Sequence, residues 1–290
     1  MLSVLIPVYD YHVGPLVRQL VAQLQPVDFP WEVRVYEDAS PPGDSDFNAE
    51  LRELADRVVY TVLVENHGRA AIRNRLAREA RYENLIFLDA DGAIPTGFIT
   101  AYAPYLDSGK VVSGGRFYSE ERSIPGDAFL HWLYGRKRES KPALVRSKQP
   151  YVGFQTNNFL APKSLLLWQP FDEKAVGYGH EDTLWGWELK AKNIELLHID
   201  NAVEHLGLED HGTFLRKQER AVHNLRVLQE SHPGLPSRLS SLASKVAMFK
   251  FALMPLLSIL APLARRRLDR TLPGSLYWLD LLKLYWFWRE

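Results

Sequence analysis

The sequence predicts an α/β fold with a parallel sheet, and three observations predict it. From residue 2 to residue 91 short apolar runs alternate with stretches of helical period. The runs are near-continuous in Val, Ile and Leu, as strands buried on both faces require. Each run ends abruptly in polar residues, which places all the ends on one edge of a parallel sheet. In order, the elements are the strand LSVLIPV (2–8), a helix over 13–25, the strand EVRVYE (32–37), a helix over 46–57, the strand VVYTVLV (58–64), a helix over 69–81 and the strand LIFLD (85–89). The polar exits are Tyr9 and Asp10, Glu37 and Asp38, Glu65 with Asn66 and His67, and Asp89 with Asp91. Residues far apart in the chain therefore converge on the crevice where open α/β sheets bind ligands.

Past residue 96 the signal is mixed. A short helix is expected near 97–107, a strand in KVVSG and a solvated basic loop in GRKRESKPALVRSK (135–148). The segment GYGHEDTLWGWEL approaches through Gly177 and Gly179 and opens a helix with Glu181 and Asp182, followed by Leu184, Trp185, Trp187 and Leu189. A strand IELLHI, the segment NAVEHLG and a polar helix over 213–231 follow. Residues 1–235 are read as one catalytic domain and 236–290 as a helical extension. In that extension residues 251–264 are apolar but contain Pro255 and Pro262, so the uninterrupted stretch is too short to span a bilayer. Arg265, Arg266 and Arg267 and the aromatic end LYWLDLLKLYWFWRE suit a membrane interface. The alternative is a helical hairpin packed on the domain or on a second copy of the chain.

Composition narrows the chemistry. In 290 residues, Lys plus Arg and Asp plus Glu are each 35, so overall charge attracts neither nucleic acid nor acidic lipid. The absence of cysteine removes disulfides, thiol catalysis and Cys-ligated zinc. The opening MLSVLIPVYD lacks a charged n-region and reads as a first strand, which places the protein on the cytosolic side, peripheral at the inner face of the membrane.

The stretch FLDADG carries the sharpest question. One carboxylate after a strand caps a turn, but two on one short loop repel unless they share a proton or a cation, and a divalent ion is the natural guest. An Asp-rich turn is the plain alternative. A hydrolase of the haloacid dehalogenase class also places Asp-x-Asp-Gly after an apolar strand, with Asp89 as nucleophile and Asp91 as acid. A catalytically silent nucleotide-binding scaffold at the membrane is a third reading.

Taken together, VLIPVYD, YEDAS, ENHGRAAIRN, FLDADG and GYGHEDTLWGWEL, in that order, resemble the inverting nucleotide-sugar glycosyltransferases of family 2, of the A-type fold, over residues 2 to about 210. The sequence departs from that pattern at Asp10, commonly Asn, and at EDAS, where two Asp and a Gly are usual. The resemblance implies a Rossmann-like nucleotide-sugar-binding domain and a nucleotide diphosphate sugar donor, UDP by family habit. It implies that Asp38 accepts a hydrogen bond from the base, that Pro7 and Tyr9 line the base pocket, and that Arg73 faces the nucleotide or braces the acidic loop. Asp89 then contacts the ribose or the metal's water shell, and Asn66, Asn157 and Trp185 complete the donor site, with Asn158 and Trp187 beside them. Asp91 and His205 hold Mn²⁺ or Mg²⁺, with His211 as the fallback ligand. Asp182 is the general base, Glu181 its neighbour, and the acceptor is a glycan or lipid-linked glycan.

Overall fold

The computed structural model describes residues 1–41, 48–120, 123–174, 177–269 and 275–289. Its strands are β1 (Leu2–Val8), β2 (Trp31–Glu37), β3 (Val58–Val62), β4 (Asn84–Leu88), β5 (Gly92–Ala93), β6 (Val111–Ser113), β7 (Arg116–Phe117), β8 (Asn158–Pro162), β9 (Leu196–His198) and β10 (Val203–His205). They form a seven-stranded sheet ordered β3-β2-β1-β4-β8-β6-β9 and a three-stranded sheet ordered β5-β10-β7.

The first four strands are parallel, with Val4 opposite Val33 and Ile86, and Val33 opposite Val58. The alternation with helices is present as expected, in Gly14–Leu24, Leu51–Leu54 and Gly68–Glu79. The start of the helix expected over 46–57 lies outside the described residues. Leu16, Val17, Leu20 and Leu24 of the first helix, spaced at helical period, bury against Val4, Ile6, Val33 and Ile86.

The parallel strands expected over residues 2–91 are present, and beyond β4 the sheet becomes mixed. β8 runs antiparallel to β4, with Leu88 opposite Asn158, and Phe87 stacks on Phe159 with centroids 5.0 Å apart. This reversal brings the start of β8 to the edge where β4 ends. The small sheet adds a second long-range pairing: His205 stands opposite Gly92 and Val203 opposite Arg116.

By internal packing the chain divides into two compact units. One comprises Met1–Phe117, Ser140–Val176 and Glu188–Gly207; the other comprises Tyr118–Glu139, Gly177–Trp187 and Leu208–Glu290. Residue 235, where a boundary is expected, lies within the second unit, and Leu239 beyond it packs against the cluster that includes Phe214 and Leu215.

The basic stretch 135–148 is not a solvated loop. In the second unit Gly135–Glu139 forms a π-helical turn, and Arg138 donates to Asp280 Oδ2 at 2.6 Å. In the first unit Ala143–Arg146 is helical and Arg146 is buried. Its guanidinium donates to the carbonyls of Lys141, Ser113, Gly114 and Ile199 at 2.7–3.1 Å. Gly115, at φ +85°, makes room for it, since a Cβ there would sit 2.7 Å from Arg146 Cζ.

The second unit is helical. His211–Ser231 begins with Asp210 accepting from Thr213 N at 2.9 Å, and Phe214, Leu215 and Val222 bury with Ala261, Ala264, Leu268, Leu279, Leu282 and Trp286. The helix Lys250–Asp269 runs unbroken through Pro255 and Pro262. With the turn before it, Ala247–Asp269 is long and apolar enough to cross a membrane, which corrects the reading that the prolines leave the stretch too short.

Candidate active site

At the exit of β4 the first unit gathers the residues expected of a donor site. Asp89 donates its backbone N–H to Asn157 O at 3.0 Å, so the antiparallel β8 fixes where the acidic loop starts. Arg73, buried in the helix Gly68–Glu79, reaches Asp89 Oδ1 at 2.8 Å, and Arg116 of β7 lies 3.9 Å from Oδ2. Of the two roles expected for Arg73, the hydrogen bond matches the brace on the loop. Arg116 went unnoticed in the sequence, where it stands in a two-residue strand made only by pairing with β10.

Asp91, one turn of loop later, meets a different neighbour. The pairing of His205 with Gly92 sets His205 Nδ1 3.4 Å from Asp91 Oδ1, and Leu206 N donates to Asp91 O at 2.8 Å. Burial by itself raises the Asp91 carboxyl, but His205, then Arg116 and Arg69, outweigh it and hold the group down to about 2. The backbone of Gly207 closes the other side, where a Cβ would stand 2.5 Å from Asp91 Oδ2.

Two donors bound to one small divalent ion stand about 3–3.5 Å apart, given bonds near 2.1 Å. The separation of the Asp91 and His205 donor atoms fits such an ion, with His205 neutral. No group of three or more His, Asp or Glu able to hold a metal occurs among the described residues. Mg²⁺ habitually takes one or two protein carboxylates and fills its other positions with phosphate and water. His211, the fallback ligand, is set aside: in the second unit its Nε2 accepts from Leu130 N and its Nδ1 faces Asp269 O, each at 3.3 Å.

The rest of the edge is ordered by Asp38. It is 4% exposed, its carboxylate accepts from His67 N at 2.8 Å and Gly68 N at 2.9 Å, and its carbonyl accepts from Asn66 Nδ2 at 2.8 Å. Both oxygens therefore hold the start of the Gly68–Glu79 helix. Pro7 is half-buried opposite Tyr36, and Tyr9, 55% exposed, stands at the rim. Asn158 is internal: it accepts from Tyr102 Oη and donates to the carbonyls of Gly115 and Asn201 at 2.7–3.0 Å. Asn157 differs, because its Oδ1 is buried with no hydrogen-bond partner among the described residues. Native structures seldom leave such an acceptor except where a ligand or water completes it.

In the second unit Glu181 and Asp182 open the helix Glu181–Ala191, as expected, and Asp182 Oδ1 accepts from Thr183 N at 2.6 Å. Trp185 is a correction. It is 1% exposed, so its ring belongs to the core and offers no face to a sugar. Trp187 packs edge-on to His232, with centroids 6.1 Å apart.

Paired loop acids, an imidazole and arginines thus meet at the carboxyl edge of the parallel strands, where α/β folds bind their ligands. The model of Glycosyl transferase family 2 matches residues 3–160, more than half of the chain, and the chain belongs to that family. It is a family 2 glycosyltransferase of the A-type fold, which sets aside the phosphohydrolase. No curated protein matches the sequence. The mannosyltransferase PcManGT from Pyrobaculum calidifontis, in complex with GDP-Man and Mn²⁺, is similar at TM-score 0.58 and 16% identity, over 98% of this chain and 85% of that one. Glucosyl-3-phosphoglycerate synthase from Mycobacterium tuberculosis, in complex with Mn²⁺, UDP and glucosyl-3-phosphoglycerate, is similar at 0.52 and 18%, over 82% and 81%. S. aureus TarS 1–349 in complex with UDP gives 0.52 and 18%, over 98% and 89%. In another match to TarS 1–349 this chain spans 65% of that chain's length. At these identities the likeness is one of fold.

Proposed function

We propose that the protein transfers a sugar, with inversion, from a nucleotide diphosphate donor to a glycan or lipid-linked glycan acceptor, using Mn²⁺ or Mg²⁺ held by Asp91 and His205. The observation that carries this reading is the approach of His205 Nδ1 to Asp91 Oδ1 at 3.4 Å, on the edge shared by Asp38, Arg73 and Asp89. Fold neighbours solved with GDP-Man, or with UDP and Mn²⁺, support the donor class and the ion.

In this reading Pro7, Tyr9, Asp38 and Asn66 hold the base and ribose. Arg73 keeps Asp89 turned toward the ribose side. Asn157 Oδ1, lacking a donor, takes a hydrogen bond from a donor-sugar hydroxyl. Arg116 and Arg69, whose charges already act on Asp91, add positive potential for the diphosphate. The bound ion supplies Lewis-acid neutralisation of charge on the leaving group. Asp182 removes the proton from the acceptor hydroxyl as that oxygen bonds to the anomeric carbon and the bond to the diphosphate breaks. Glu181 hydrogen-bonds the acceptor.

The test is a panel of nucleotide sugars, beginning with UDP-glucose, UDP-GlcNAc and GDP-mannose, each with Mn²⁺ and with EDTA, scored by release of nucleoside diphosphate. Release from one donor that depends on Mn²⁺ is expected. Release equal in EDTA contradicts the role of the ion, and no release from any donor contradicts the donor class.

A further inference from the structure

A run of exposed large apolar side chains lies on the helix Lys250–Asp269 and the turn before it. Met248 is 81% exposed, Phe251 93% and Ile259 72%, with Leu256 and Leu263 also exposed. Positions 248, 251, 255, 259 and 262 follow helical spacing, so these side chains and both prolines form one stripe along the helix. A soluble surface rarely carries such a contiguous patch without a partner.

The opposite face is occupied. Leu257, Ala261, Ala264 and Leu268 are buried within their own unit, with Leu253 and Met254 half-buried beside Trp288. The protein therefore walls one side of the helix from Leu253 to Leu268. The neighbouring helix Ser275–Arg289 is tied to polar groups: Asp280 to Arg138 at 2.6 Å and Lys283 to Tyr134 Oη at 3.3 Å. A helix ringed by lipid cannot carry such a wall, because crossing would drag those polar groups into hydrocarbon. Length and composition permit a span, but packing decides against it.

Charge identifies the partner. Arg265, Arg266 and Arg267 are all exposed just past the stripe, Lys245 is exposed before it, and the Arg267 guanidinium lies 5.4 Å from the ring centroid of Trp278. Tyr277, 80% exposed, adds an aromatic of the kind favoured at headgroup depth. A second copy of the chain would present the same cations to one another, whereas anionic headgroups complement them.

We propose that the second unit docks on an anionic bilayer surface with the helix Lys250–Asp269 lying in the plane of the membrane, its Met248–Phe251–Ile259–Leu263 side in the acyl boundary and Arg265–Arg267 among the headgroups. The attachment is to one leaflet, and it goes beyond the transfer reaction by stating where the enzyme works.

The test is flotation of the full chain with phosphatidylcholine vesicles, with and without phosphatidylglycerol, alongside melting curves and size-exclusion chromatography with light scattering. The protein is expected to float with the anionic vesicles and to be released by alkaline carbonate. F251E/I259E is expected to stay at the bottom with an unchanged melting curve, since both side chains are already in solvent. R265Q/R266Q/R267Q is expected to bind on the order of a hundredfold more weakly, from about fivefold per arginine. Equal flotation with neutral vesicles, retention of F251E/I259E, or resistance to carbonate overturns the proposal. So does a wild-type dimer that F251E/I259E dissolves, which would make a second copy the occupant. None of these outcomes depends on nucleotide-sugar release.

Discussion

Asp89 and Asp91 on one side, Glu181 and Asp182 on the other, are both acid pairs within three residues, yet the fold builds them in opposite ways. The first pair is held by parts brought from across the sequence: Arg73, Asn157, Arg116, His205 and the backbone of Gly207. The second stands in the first turn of its own helix, where the helix dipole favours acids and Thr183 supplies the bond to Asp182. The difference teaches where to look for cost. Disturbing the first pair means disturbing packing around it, whereas the second is drawn from consecutive residues of one helix.

The largest effect expected falls on the second pair. Asp182→Asn keeps the side chain's shape and should lower kcat by about 10²–10⁴-fold while nucleotide-sugar affinity and melting temperature stay near wild type. Steady-state kinetics beside calorimetric binding check it, and equal losses in kcat and affinity would erase the contrast. Gly207→Ala probes the other pair without touching a carboxylate. A methyl 2.5 Å from Asp91 Oδ2 must displace it, so metal-dependent donor binding should fall by roughly 10–100-fold, with a loss of stability of about 1–3 kcal/mol from the overpacking.

A third prediction uses pH. His180, just before Glu181, is pushed down to about 4 by burial, with Lys283 adding to that and Glu181 opposing it. Its folded pKa lies below the unfolded value, near 6.5, so its contribution is complete above pH 6.5 and is lost as pH falls toward 4. After discounting for solvent screening, the loss is about 2 kcal/mol. Denaturant titrations between pH 7 and 4 should show that decline, and His180→Gln should flatten it. The smallest effect is Asp38→Ala, which removes the acceptor for His67 N and Gly68 N and should cost about 1 kcal/mol by the same titration at pH 7.

What was legible in the sequence follows from the range of the interactions involved. The strands β1 to β4 and their helices were readable because a buried parallel strand must be apolar along its whole length, and Asp89 and Asp91 were visible because they break that rule. β8 was missed. NNFLAP contains two asparagines and Pro162, and it became a strand through pairing with β4. β5, β7 and β10 are two or three residues each, too short for any period, so Arg116 carried no signal and the meeting of Asp91 with His205 rested on resemblance alone. Arg146 looked like one cation of a solvated run, since nothing local announces that four carbonyls surround it. Trp185 shows the reverse error, an aromatic at helical spacing taken for a platform when the same spacing with Leu184 and Leu189 also describes a core face.

The measurement that tests the account most directly is titration calorimetry of the donor found by the panel into wild type, Asp91→Asn and Asp182→Asn, each with and without Mn²⁺. Wild type and Asp182→Asn should bind the donor in a manner that requires Mn²⁺, while Asp91→Asn should lose that requirement together with most of the affinity. Equal binding by Asp91→Asn in the presence of Mn²⁺ would contradict the assignment of that carboxylate to the metal.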